Sequence, residues 1–182
     1  MPRVSLVDLD STPALRGVLD RLASRGRQPS PLYRTLAHAP EVLLGWNQLA
    51  DTLRFGGRVD AGVRELVILR LAQLGDAPYA WAYHRGGALA NGASEEQVMQ
   101  LSNWRTSAAF DLEARVVLEY AERMARSEVT AEVFGALAKG RSEEEVVELT
   151  VLVSFYCGVV RALQALDIEL DEDHRGELAG YA

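Results

Sequence analysis

Apolar residues recur along this chain at intervals of three and four, and no stretch alternates apolar with polar positions. That spacing marks helices that bury one face, whereas strict alternation marks a half-buried strand. The pattern therefore predicts an all-α fold, a single-domain helical bundle. A first helix opens at Thr12-Pro13 and runs through Ser24, with Leu15, Val18, Leu19 and Leu22 on one side. Short helices follow at about 31–38 and 40–54, divided by Pro40. Asp60 is placed to cap a helix that bears Glu65, and Pro78 to open the next, which ends at Asn91-Gly92. Ser94 with Gln97, and Ser142 with Glu145, have capping-box spacing. Between those boxes, Asp111 opens a helix to about Arg126 and Thr130 another that ends at Gly140. The second box precedes the most apolar helix, which runs to about Leu166. The segment NWRTSAAF reads as irregular, and the acidic DIELDEDH stretch as loosely ordered. In domain terms, residues 1–29 form an extension with one helix, 30–170 the bundle and 171–182 an acidic tail.

Two of these helices carry the candidate chemistry. On a 3.6-residue wheel Glu65 shares its side with Ala61, Ile68, Leu69 and Ala72, so a carboxylate is aimed into an apolar face. A buried charge must find a partner or change its pKa. On the following helix His84 shares a side with Ala77, Ala80, Trp81, Ala88 and Asn91. Apart from Trp81 and Asn91 these are alanines, which leaves the imidazole open space. A buried acid and a titratable base on adjacent helices beside a gap make a candidate site. Trp81, Ala77 and Ala80 are its candidate substrate-binding residues, and Tyr83 falls away from His84 on the wheel. The bland alternative is that Glu65 ties two helices together through an arginine, Arg161 being the one considered.

The segment from Arg58 to His84 resembles the carboxymuconolactone decarboxylase family, which includes the alkylhydroperoxidase D-type proteins. The resemblance is carried by Glu65 with a His nineteen positions later, by LYRTLAHAPEVL upstream and by ELTVLVSFYCGVVRALQAL downstream. It implies a helical bundle, no cofactor, and assembly as a trimer or hexamer. Its peroxidase branch carries a Cys-x-x-Cys pair where this chain has Ala77 and Ala80, and many decarboxylase-like members have Glu at the second position. The implied function is a lyase or isomerase that decarboxylates or isomerises a small carboxylic acid or lactone-like substrate. His84 would be the acid–base group and Glu65 its orienting carboxylate. The alternatives are a non-catalytic oligomeric member with a decayed site and, third, a residual hydroperoxidase.

Composition narrows the partners. A net charge of −7 over 182 residues disfavours nucleic acid and anionic membrane surfaces. The three histidines, His38, His84 and His174, are too scattered to suggest a metal site, and no phosphate loop, dinucleotide fingerprint or nucleophile elbow occurs. The apolar run Leu149–Val160 is shorter than the roughly 20 residues a bilayer span needs. Cys157 is the sole cysteine, which precludes an intramolecular disulfide, and MPRVSLVDLDSTP lacks a signal-peptide pattern, so a cytoplasmic location is expected.

Overall fold

The computed structural model describes residues 2–9, 13–24, 26 and 28–181. The expected helix start at Thr12, and Arg25 and Arg27 just past the expected end of that helix at Ser24, lie outside these. Among the described residues there is no strand. A 3-10 turn, Pro13–Leu15, leads into α1 (Arg16–Ser24), followed by α2 (Pro31–Leu36), α3 (Pro40–Phe55), α4 (Ala61–Leu74) and α5 (Pro78–Ala90). Then come α6 (Glu95–Met99), α7 (Leu112–Ala125), α8 (Ala131–Ala138) and α9 (Glu143–Leu166).

Helix α4 is the axis of the bundle. It packs on α5, α7 and α9, and residues Arg64 through Leu69 are all buried. Its start is fixed by Asp60, whose carboxylate accepts from the Val63 N–H at 3.0 Å. The loop before it is held by Glu148 of α9, which accepts from Arg58 N–H at 2.8 Å and Val59 N–H at 3.3 Å. A Cβ at Gly57 would meet the Glu148 carboxylate at 1.7 Å, so a larger residue there would displace that carboxylate from these two bonds. Leu69, fully buried, contributes about 1.5–3 kcal/mol by leaving water.

Both capping boxes form as spaced in the sequence, at Ser94–Gln97 and Ser142–Glu145. Helix α9 is longer than its apolar run and passes, by length and composition, as a span able to cross a membrane. Its Leu149, Leu152, Val153, Tyr156 and Val160 are nevertheless buried in the core. Helix α1 belongs to a separate small cluster, in which Leu15, Val18 and Leu22 meet Leu43 of α3.

The acidic tail departs from the sequence reading. It is folded, with a 3-10 segment at Glu172–Leu178 lying along α5. Lone apolar residues and fixed polar contacts hold it, a pattern that helical periodicity does not display. Leu178 and Tyr181 pack on the core, Gln73 donates to the Gly180 carbonyl at 3.1 Å, and Arg85 pairs with Glu177 at 3.2 Å.

Candidate functional site

Glu65 and His84 meet. The pair joins α4 to α5 across a buried gap, His84 Nδ1 lying 2.7 Å from Glu65 Oε2. Glu65 is 1% exposed and His84 9%. Burial pushes the Glu65 carboxyl up, but the charge and hydrogen bond of His84, together with Arg54 and Arg64, outweigh it. The group is held below the ordinary carboxylate range. The ring of His84 stands edge-on to Tyr156 of α9, centroids 5.2 Å apart.

The arginine near Glu65 is Arg54, from the last turn of α3, with Nη2 at 3.6 Å from Oε1. Arg161 is exposed on the far side of α9, where it lines a cleft with Cys157 and Leu71. The apolar run around Arg161 suggested proximity in sequence, but Arg161 falls on the exposed stripe of α9 with Val151, Ser154 and Gly158.

His84 borders a small cavity of about 60 Å³, room for about two waters. Ala80 lines it as the wheel suggested. Trp81 and Ala77 do not. Trp81 is fully buried against Tyr181, ring centroids 5.7 Å apart, and its Nε1 has no hydrogen-bond partner. Ala77 caps the start of α5 and faces a neighbouring cleft with Asp76 and Pro78. The aromatic walls come instead from residues the wheel did not select, among them Tyr79 and Tyr83 of α5, Trp46 of α3 and Phe155 of α9. Tyr83 is held in a stack between Tyr79, at 4.5 Å, and His174 of the folded tail, at 4.0 Å. Its hydroxyl donates to Asp171. Burial pushes the Tyr79 phenol up to about 12 and drives Tyr83 and Tyr156 upward as well, so these hydroxyls are neutral near pH 7. Among the described residues no cluster of three or more His, Cys, Asp or Glu could hold a metal.

The arrangement of helices defines a class before it defines a protein: the all-α fold of the alkylhydroperoxidase D-like proteins. A variant of the debrominase Bmp8, in complex with 2,3,4-tribromopyrrole, superposes with a TM-score of 0.84 at 18% identity, covering 98% of this chain and 97% of that one. A peroxidase-related alkylhydroperoxidase AhpD core protein from Ralstonia eutropha gives 0.81 at 20% identity, covering 100% and 97%. An uncharacterized peroxidase-related protein from Silicibacter sp. gives 0.76 at 17%, covering 96% and 92%. Residues 40–123 match the model of the carboxymuconolactone decarboxylase family, a segment that contains both Glu65 and His84. This match, with the fold, supports the family membership that the motif implied. No curated protein sequence matches the chain significantly.

Proposed function

We propose that this protein is a cofactor-free lyase or isomerase that moves a proton on a small carboxylic acid or lactone-like substrate. The observation that carries this reading is the 2.7 Å contact between Glu65 and His84 at the wall of a cavity. Because Nδ1 is engaged by Glu65, proton exchange with a bound molecule falls to Nε2. An ionised Glu65 favours the imidazolium form and fixes the ring orientation. Loss of CO₂ next to a carbonyl leaves the bonding electron pair on carbon as an enolate. The imidazolium stabilises that charge and then delivers its proton to the carbon. In an isomerisation the neutral ring removes the proton from one carbon and returns it to another. The aromatic walls suit a flat body, and a flat ring is also the ligand of the debrominase neighbour.

Hydrogen–deuterium exchange at carbons next to a carbonyl tests this without knowledge of the natural substrate. A panel of small keto acids and lactones in D₂O, followed by proton NMR, should include members whose exchange the protein accelerates. His84→Ala should abolish that acceleration. Equal exchange with the wild-type protein and His84→Ala across the panel would sink the reading.

Self-association into a trimer or hexamer, in the cytoplasm, belongs to the same proposal. Helix α9 leaves Val147 60% exposed and Val151 36% exposed, and α3 leaves Phe55 55% exposed. Light scattering at micromolar concentration should give a mass well above one chain, and a stable monomer would count against it.

A further inference from the structure

We infer that the cavity beside His84 is a site for one small carboxylate with a flat, conjugated body, and that Arg54 selects it. The inference rests on the site at Glu65 and His84 proposed above and adds the charge and shape of its ligand.

The buried charges around the cavity do not balance. Arg54 and Arg64 both act on Glu65, which is the one carboxylate within ion-pair distance of Arg54 among the described residues. Two guanidiniums against one buried carboxylate leave an excess positive charge, and a protonated His84 adds to it. Asp171, which accepts from the Tyr83 hydroxyl, is partly exposed and paired with His174. The tyrosine hydroxyls around the cavity are neutral and do not offset that excess. Uncompensated charge out of water is costly, so an anion entering here recovers free energy that a neutral molecule does not.

Arg54 is the cation placed to meet that anion. It lines the cavity itself, with its side chain 17% exposed. Its Nη2 is 3.6 Å from Glu65, an ion-pair distance but too long for a hydrogen bond. Its Nε is buried and has no hydrogen-bond partner among the described residues. A guanidinium whose fork is unspent matches a carboxylate, which accepts two parallel N–H bonds. Arg64 also has a buried Nε without a partner among the described residues, but it donates to the Val59 carbonyl at 3.4 Å and does not line the cavity. One arginine at the cavity implies one carboxylate. The body of the ligand would lie among the rings of Tyr79, Tyr83, Trp46 and Phe155, of which Tyr79 and Tyr83 are stacked at 20° and offer a flat wall. The enclosed space of about 60 Å³ takes little more than the carboxylate group, so the flat body would lie in the open mouth between those rings.

Calorimetric titration with benzoate, its neutral isostere benzamide and the dianion phthalate decides the matter. The wild-type protein should bind benzoate about tenfold or more tightly than either comparator, the scale of a hydrogen-bonded charge. Arg54→Gln should lose the preference for benzoate over benzamide, and Arg54→Lys should keep part of it, having the charge without the fork. His84→Ala should still bind benzoate, because the anchor is Arg54. Absence of benzoate binding, equal binding of benzoate and benzamide, or an unchanged preference in Arg54→Gln would overturn the inference. Should Arg54→Gln fail to fold, the wild-type comparison and Arg54→Lys still decide it. Failure of the proton-transfer reading looks different: exchange that His84→Ala leaves intact while benzoate binding still depends on Arg54.

Discussion

Glu65 and Glu122 are each 1% exposed, and both carboxyls are held below the ordinary range against a burial that pushes them up. Their surroundings differ in kind. Glu122, on α7, accepts from Arg70 Nε at 2.6 Å, Trp104 Nε1 at 2.8 Å and Arg105 Nη2 at 2.7 Å. Among the described residues every donor there is a permanent cation or an indole, and no titratable base touches the carboxylate. Among the described residues Glu65 has a single hydrogen bond, to a histidine that borders the cavity, with an arginine at ion-pair distance. Burial and a lowered pKa are therefore common to a structural rivet and a candidate catalytic carboxylate. What separates them is whether the donors are saturated and whether one partner can exchange a proton with a bound molecule.

The comparison breaks most visibly on the Glu122 side. Glu122→Ala strands Arg70 and removes the acceptor of Trp104, so it should cost about 3–5 kcal/mol, the usual result of breaking a buried ion pair. For a chain of this size that lowers the melting temperature by roughly 6–20 °C in a calorimetric scan. A loss below about 1 kcal/mol would show the network to be dispensable.

On the Glu65 side the larger effect should fall on chemistry. Glu65→Gln keeps the shape and removes the charge, and His84→Ala removes the base. Each should slow ligand proton exchange by about 10²–10⁴-fold, the span of acid–base contributions. His84→Ala should cost stability only about 1–3 kcal/mol, the penalty of leaving one buried polar group short of a partner. Glu65→Gln also takes the counter-charge from Arg54 and should cost up to about 3–5 kcal/mol. A Glu65→Gln variant that exchanges normally but melts as low as Glu122→Ala would make Glu65 a second rivet.

The same two carboxylates differ in how much of the sequence announced them. Glu65 was legible because its neighbours on the wheel are apolar and His84 follows at family spacing. Glu122 was not, since it sits among Glu119, Arg123 and Arg126, which read as the solvated side of an amphipathic helix. Its cover comes from Trp104 and Arg105, in a segment without periodicity. The misplacement of Trp81 has a related cause. A wheel shows which residues share a side of α5 but not what lies against it. The Trp81 side is closed by Tyr181 of a tail that pattern alone left loose, and Tyr83 is kept at the cavity by Asp171 and His174 of the same tail. Arg54 escaped notice because it reaches Glu65 from another helix, eleven positions earlier, on a side chain too long for wheel geometry to locate. Helix positions and caps follow local rules, whereas cavity walls depend on tertiary cover.

Acid titration sharpens the contrast with a smaller effect. Both carboxyls have folded-state values below the roughly 4.3 of an exposed glutamate. Between the folded and unfolded values the unfolded chain binds more protons, so stability rises with pH there. The contribution is fully present above about pH 4.3 and is lost as pH falls through the folded value. Glu122→Gln should therefore flatten the stability–pH curve below about pH 4.3 and leave its slope near pH 7 unchanged, as read by urea melts at stepped pH. An unaltered acid slope would mean that Glu122 is not ionised in the native protein.

Cys157 is the third titratable side chain worth setting beside these two, and the effect expected of it is nil. It sits on α9, partly buried, in the cleft with Leu71, Val160 and Arg161, and it does not line the His84 cavity. Burial pushes its thiol up, against a smaller pull from Arg161, so the thiolate that would attack a peroxide is disfavoured. A dithiol cycle also needs a second cysteine to resolve the oxidised sulfur, and Ala77 and Ala80 stand where the peroxidase branch carries its pair. Cys157→Ser should accordingly change neither the ligand proton exchange nor the melting temperature by more than about 1 kcal/mol equivalent. Coupled assays with alkyl hydroperoxide and a thiol reductant should give the same background rate for wild type and variant. Thiol-dependent consumption of the hydroperoxide that vanishes in Cys157→Ser would move the chemistry from the Glu65–His84 pair to the opposite face of α9.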